Sequence, residues 1–367
     1  MKRFQGRLIA LACFAGLSSS FGSAHATQSG TWHPLTHALC TDSQPCFSPK
    51  AALLLTDGTV IINEQCGGRW FRLTPDINGS YQNGSWSQIA SFPTGYAPLY
   101  FASQVLPDGR IIINGGEYNS CVPVWTTQGA MYDPLSNVWT SVGPPSGWAT
   151  IGDAQSIVLP NGQYMLANCC TKQQALLNLA TMTWTPTGSN KADINDEEGW
   201  TLLPNKKVLT VDAYVGQYDP TGMNFEVYNP ASGKWTSPGG GTRVQLWDSA
   251  ADCGGRRFAS SEVGPAVLMN DGSVFATGAN ACGAARTAIF KGSWKAGPDF
   301  PDDLGIADGP AALEPNGKVL MMASPLIFHT PSTFLEWDGN SLTTVPPAPN
   351  AANDSSYYGN MLILPTG

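Results

Sequence analysis

Seven times along the chain an apolar run meets a tight-turn signal and leaves it as a second apolar run. The turns are Leu55-Thr56-Asp57-Gly58, Leu106-Pro107-Asp108-Gly109, Leu159-Pro160-Asn161-Gly162, Leu203-Pro204-Asn205-Lys206, Met269-Asn270-Asp271-Gly272, Glu314-Pro315-Asn316-Gly317 and Leu364-Pro365-Thr366-Gly367. Steps between turn ends are 51, 53, 44, 66, 45 and 50 residues. Self-similarity at a period near ~50 residues constrains the fold before any single side chain is weighed.

Each turn is a hairpin signal, because Asp-Gly or Asn-Gly supplies the positive φ angles that a tight reversal needs. The strand that follows is rich in β-branched residues, as in Thr59-Val60-Ile61-Ile62 and Arg110-Ile111-Ile112-Ile113. Runs apolar on both faces suit strands packed between neighbouring sheets. A polar loop leads to a third strand, such as Ala130-Met131-Tyr132 or Phe225-Glu226-Val227-Tyr228, and a short turn leads to a fourth that carries Trp. Those tryptophans are Trp86, Trp139, Trp184, Trp235 and Trp294, and they read as core between sheets.

One repeat is therefore a four-stranded antiparallel sheet that cannot bury both faces alone, so neighbours stack around an axis. The expected fold is all-β: a seven-bladed, kelch-type propeller with blades at about 51–90, 100–144, 154–188, 198–239, 262–298 and 308–346. A partial last blade covers 357–367, and Gly30-Thr31-Trp32-His33-Pro34-Leu35 reads as the N-terminal strand that closes it. The missing strands of that blade make the chain read as a truncated copy of a longer protein.

Residues 1–26 read as a signal peptide: Lys2, Arg3 and Arg7, then the apolar Leu8 to Leu17, then Ala24-His25-Ala26. The mature part, 27–367, is expected in the periplasm or outside the cell, with no membrane contact. Removal of the three cations leaves 16 basic residues against 27 acidic ones, a balance of −11, which argues against nucleic acid as a partner. Eight cysteines remain, and export favours disulfides over zinc. Cys40 and Cys46 are close enough to pair, Cys66 and Cys121 follow the second strands of adjacent blades, and Cys253 and Cys282 flank the inner hairpin of blade five. The adjacent Cys169 and Cys170 read as a vicinal disulfide, as cross-links to other loops, or as free thiols.

Loops from second to third strand and from blade to blade emerge on one face of a propeller. Here they are 63–70, 114–127, 168–174, 212–223 and 278–286, with 189–198, 240–261 and 347–356 between blades. A binding site is expected on that face near the axis. The acidic run Asp193-Ile194-Asn195-Asp196-Glu197-Glu198 reads as a solvated loop, with calcium binding as the alternative. Arg256 and Arg257 read as structural partners of nearby acids or as an anion site. Cys169, Cys170, Glu198, Trp200, Arg256 and Arg257 are the ligand-contact candidates. There is no Gly-x-Ser-x-Gly, His-Glu-x-x-His or P-loop motif, and only His33, His37 and His329 remain in the mature chain, which argues against Ser-His hydrolysis and multi-histidine metal sites.

The hairpins, Ile112-Ile113-Asn114-Gly115-Gly116 and the seven-residue spacing of Tyr132 to Trp139 and Tyr228 to Trp235 resemble kelch propellers of the galactose oxidase and glyoxal oxidase group. The resemblance implies a copper ion near the axis, bound by two tyrosines and two histidines, one tyrosine being cross-linked to a cysteine. Tyr100 has the family's nine-residue spacing to its hairpin glycine, Gly109, and Tyr357 matches the axial tyrosine. Tyr358 stands where histidine is required, and Ser48, in Phe47-Ser48-Pro49, stands where the cysteine would be. Tyr100, Tyr357 and Tyr358 are thus the axial-pocket candidates, and Tyr100 and Tyr357 the weak copper candidates. The expectation is a monomeric, non-catalytic module without a cofactor that recognises extracellular glycan or protein. The alternatives are a divergent copper-dependent alcohol or aldehyde oxidase releasing hydrogen peroxide, and a non-functional truncated copy.

Overall fold

Asp or Asn at the third position of each internal turn fixes the hairpin locally. Its side-chain oxygen accepts the backbone N–H two residues on, at 2.8–3.1 Å, for Asp57, Asp108, Asn161, Asn205, Asp271 and Asn316. The fourth residue then takes a positive φ, from 79° to 86° at Gly58, Gly109, Gly162, Gly272 and Gly317. Lys206 adopts 68° without a glycine's freedom.

These hairpins build six four-stranded antiparallel units in a computed structural model that describes residues 30–39, 48–214, 223–248 and 260–367. Sheet one is Pro49–Leu54, Val60–Glu64, Trp70–Thr74 and Ser85–Ile89; sheet two is Ala102–Val105, Ile111–Asn114, Gly129–Asp133 and Val138–Ser141. Sheet three is Ser156–Val158, Tyr164–Ala167, Gln174–Asn178 and Thr183–Thr187; sheet four is Thr201–Leu202, Val208–Val211, Phe225–Asn229 and Lys234–Thr236. Sheet five is Val263–Leu268, Val274–Gly278, Thr287–Phe290 and Trp294–Ala296. Sheet six is Ala311–Leu313, Val319–Pro325, Thr333–Trp337 and Leu342–Val345, with Leu304–Gly305 as an added strand. In every unit the strands pair in chain order, as a meander requires.

The core lies between successive sheets. Ile111, Ile113 and Tyr132 of sheet two meet Ile61 and Trp70 of sheet one. Tyr164 and Leu166 of sheet three meet Ile112 and Met131 on the other side of sheet two. The expected Tyr–Trp pairs are cross-strand neighbours, Tyr132 with Trp139 and Tyr228 with Trp235, at ring separations of 5.0 and 5.3 Å. The indole N–H of Trp139 reaches back to Ala90 O at 3.0 Å, and that of Trp184 to Gly143 O at 2.8 Å. Each acceptor directly follows, or nearly follows, the last strand of the preceding sheet, so Trp139 and Trp184 clip their sheets to the one before, whereas the indoles of Trp86 and Trp294 find no acceptor among the described residues.

Trp32 repeats that contact. Its indole donates to Pro346 O at 2.8 Å, just past the last strand of sheet six, and packs edge-on against Phe334 at 4.9 Å. Thr36 N then donates to Gln82 O at 2.8 Å beside sheet one. Residues 32–37 thus join sheet six to sheet one, although 30–35 carry no strand. Residues 357–367 likewise form no ladder: Ser356–Tyr358 is a 3-10 turn, Leu362 and Leu364 pack on Val60 and Ile62, and Met361 packs beside Met322. A first strand needs a second strand to pair with, and none stands beside this segment among the described residues.

Among the described residues no helix is long and apolar enough to cross a membrane. Cys66–Cys121 joins the loops of sheets one and two, and Cys169–Cys170 is a vicinal disulfide. Cys282 is disulfide-bonded. Cys253, Cys40 and Cys46 lie outside the described residues, as do Arg256 and Arg257.

Candidate functional site

The segments leading into the first strands share a backbone device. Tyr100, Gly152, Glu197, Ser261 and Asp308 have φ of 51°, 70°, 55°, 62° and 53°, each two to four residues before a first strand. For residues other than glycine this left-handed conformation is uncommon and carries strain. It turns the chain sharply, so that the side chain there, or the next one (Asp153, Glu262), faces the axis. Lys50 arrives from sheet one and Tyr357 from the segment after sheet six.

These side chains line one cavity of about 800 Å³. One wall is aromatic: Tyr100, Tyr118, Phe328 and Tyr357, with Tyr357 tilted against Tyr358 at 4.0 Å and edge-on to Phe328 at 5.1 Å. The Lys50 ammonium stands over three of these rings, 5.2 Å from Tyr100, 5.6 Å from Tyr357 and 4.9 Å from Tyr358. It donates to Tyr357 O at 3.5 Å. Burial pulls the Lys50 amine below its usual range while the charge of Asp308 opposes that pull. Burial pushes the Tyr100 phenol up to about 12, aided by Asp308 and Glu117.

The other wall is acidic, with Glu117, Asp153, Glu197, Glu262 and Asp308. Burial raises every one of these carboxyls, and the neighbouring carboxylates raise most of them further. Asp153 is pushed up to about 7, by burial and then by Asp196. Asp308 is exposed to the cavity.

Behind this wall lies a second charged group. Lys191 is buried and pairs with Glu226 at 2.5 Å, Glu198 at 2.7 Å and Asp212 at 3.5 Å. Thr210 Oγ1 donates to Glu198 at 3.1 Å, and Ala192 N donates to Glu226 at 2.8 Å. Asn195 donates to Thr171 O and Gln173 O, at 2.7 and 3.1 Å.

The acidic run is therefore not a solvated loop: Asp193, Asn195 and Glu198 are 2%, 1% and 7% exposed. Lys191 supplies a counter-charge from within the same loop, and Asn195 ties that loop to the one bearing the vicinal disulfide.

Tyr100 and Tyr357 both line the cavity, and Glu198 lines it while committed to Lys191. Tyr358 lies beside them, about half exposed. Cys169 is buried behind Gly152, with Cys170 beside it, one residue removed from Asp153 and off the cavity lining. Trp200 packs on Trp235 at 5.8 Å between sheets three and four.

Lys50, Glu117, Asp153, Glu262 and Asp308 escaped sequence reading. A signal for most of them existed. The nine-residue spacing from Tyr100 to Gly109 recurs from Asp153 to Gly162, Glu197 to Lys206 and Asp308 to Gly317. Glu262 is one residue further from Gly272, and a bulge between Val263 and Ala266 absorbs the difference.

Neither a protein-family model nor a curated protein matches the chain. Solved structures do match in fold. The protein YjhT aligns with a TM-score of 0.53 at 14% identity, over 83% of this chain and 98% of that one. A streptogramin B lyase gives 0.54 at 12% identity, over 84% and 86%. A fungal alcohol oxidase of the AA5 family, in complex with copper, gives 0.53 at 17% identity, over 81% of this chain and 64% of that one. At such identities the likeness is one of fold: the chain is an all-β, propeller-like protein similar in architecture to these three proteins.

Proposed function

We propose that the chain is a non-catalytic binding module that takes an extracellular glycan into the axial cavity. The observation that carries this reading is the cavity's two-sided lining. A sugar ring offers apolar C–H faces to aromatic rings and hydroxyl donors to carboxylates, and this cavity opposes tyrosines to acids. The disulfides accord with an oxidising compartment and hence with export.

The pair Tyr100 and Tyr357 is the observation that favours the oxidase reading, and the donor set around it does not suit copper. No described residue lining the cavity is a histidine or cysteine. Ser48 cannot form a thioether, and the Lys50 ammonium already lies against both tyrosine rings, where a metal cation would be repelled.

Calorimetric titration of the purified chain with a panel of oligosaccharides tests the reading. A glycan ligand is expected, with Tyr118→Ala and Glu117→Gln each weakening it roughly tenfold, about 1.4 kcal/mol. A folded protein that binds none of the panel, or binds equally well in both variants, overturns the glycan reading. Stoichiometric copper retained after loading and desalting would revive the oxidase.

A further inference from the structure

We propose that Glu197, Glu262 and Asp308 form a site for a hard divalent cation, calcium foremost, which ties together the lead-in segments of sheets four, five and six. One carboxylate oxygen from each residue lies within 4.8 Å of the other two. An independent feature points to a ligand there. Glu262 is only 8% exposed, and among the described residues its Oε2 has no N–H donor; its polar neighbours are the carboxyl groups of Glu197 and Asp308. A buried carboxylate oxygen is costly to leave unsatisfied, so its burial calls for a donor or a cation.

The protein contains its own control for this geometry. Glu198, Asp212 and Glu226 form a second trio of carboxylates with the same closeness, and there the Lys191 ammonium supplies the cation, 2.5–3.5 Å from all three. No lysine or arginine plays that part for Glu197, Glu262 and Asp308 among the described ion pairs. Lys50, the cavity's cation, stands over the tyrosine wall, and its charge acts on Asp308 without forming an ion pair. Three hard oxygen donors without nitrogen or sulfur select calcium, magnesium or manganese over copper or zinc. Water from the open cavity completes the ~6–8 ligands that calcium takes.

The test is calorimetric titration of the EDTA-treated, dialysed chain with calcium chloride, alongside the rise in thermal midpoint on adding calcium. Saturable binding and a raised midpoint are expected, with affinity falling tenfold or more in Glu262→Gln. Asp308→Asn gives the same reading should Glu262→Gln fail to fold by circular dichroism, while Asp133→Asn, at the end of the third strand of sheet two and absent from the cavity lining, keeps the wild-type affinity. Absence of saturable binding of calcium, magnesium and manganese by the folded chain overturns the site, as does binding unchanged in both cluster variants. The titration contains no glycan, so the ion site stands or falls apart from the glycan reading.

Discussion

Asp212 shows how far a buried charge can be moved from its solution chemistry. It faces Lys191, Glu198, Glu226, Asp193 and the Asn224 amide, which donates to it. Burial and the neighbouring acids outweigh the attraction of Lys191, and its carboxyl rises from 3.8 to about 8. A carboxyl raised in the folded state contributes stability that is complete below its unfolded value and is lost as pH climbs through the folded one. The chain is therefore expected to lose stability between pH 3.8 and about 8, at up to ~1.4 kcal/mol per pH unit from this group. Urea midpoints at the ends of that window measure the slope. Asp212→Asn should flatten it, and a variant slope equal to wild type would remove Asp212 as the cause. Sequence reading placed Glu198 and its neighbours in solvent because their counter-charge, Lys191, is a single residue that only folding brings among Glu198, Asp212 and Glu226.

At the scale of the element, hairpins were legible from composition, and lead-in segments only from their nine-residue spacing to the hairpins. A turn such as Leu106-Pro107-Asp108-Gly109 closes through contacts three or four residues apart, so composition alone specifies it. The lead-ins depend on left-handed residues whose identity varies from Tyr100 to Glu197 to Asp308, and nothing in composition marks them. Gly152 is the lead-in where contact adds to conformation. Its φ is 70°, and a Cβ there would stand 2.5 Å from Cys169 Sγ and 3.2 Å from Trp125 Cδ1. Gly79 has a φ of 80° with open space around it. Gly79→Ala should thus cost about 1 kcal/mol from backbone strain alone. Gly152→Ala should cost ~2–4 kcal/mol, strain and clash together. Equal losses in chemical denaturation would mean that the vicinal disulfide yields freely and does not fix the loop beside Asp153.

On the scale of the whole molecule the question is what joins sheet six to sheet one. A stack of sheets around an axis leaves two open faces unless some segment covers them. The repeat made the six four-stranded sheets legible from local periodicity, and the closing segment was legible only as an expectation, because its partner lies 314 residues away at Pro346. Trp32 makes there the clip that Trp139 and Trp184 make between sheets, but at 42% exposure and without a strand around it. Trp235, at 1% exposure, makes its clip to Gln174 fully inside the core. The two positions should separate by energy. Trp32→Ala is expected to cost ~1–2 kcal/mol, a hydrogen bond and an edge-on ring contact. Trp235→Ala should cost ~3–5 kcal/mol, as a large cavity between two sheets does. Both are read from urea midpoints at constant slope. If Trp32→Ala leaves the midpoint unchanged, residues 32–37 merely rest on the surface, and closure falls to Leu362 and Leu364 on the face of sheet one. If it costs as much as Trp235→Ala, the N-terminal segment is as much a part of the ring as any internal strand.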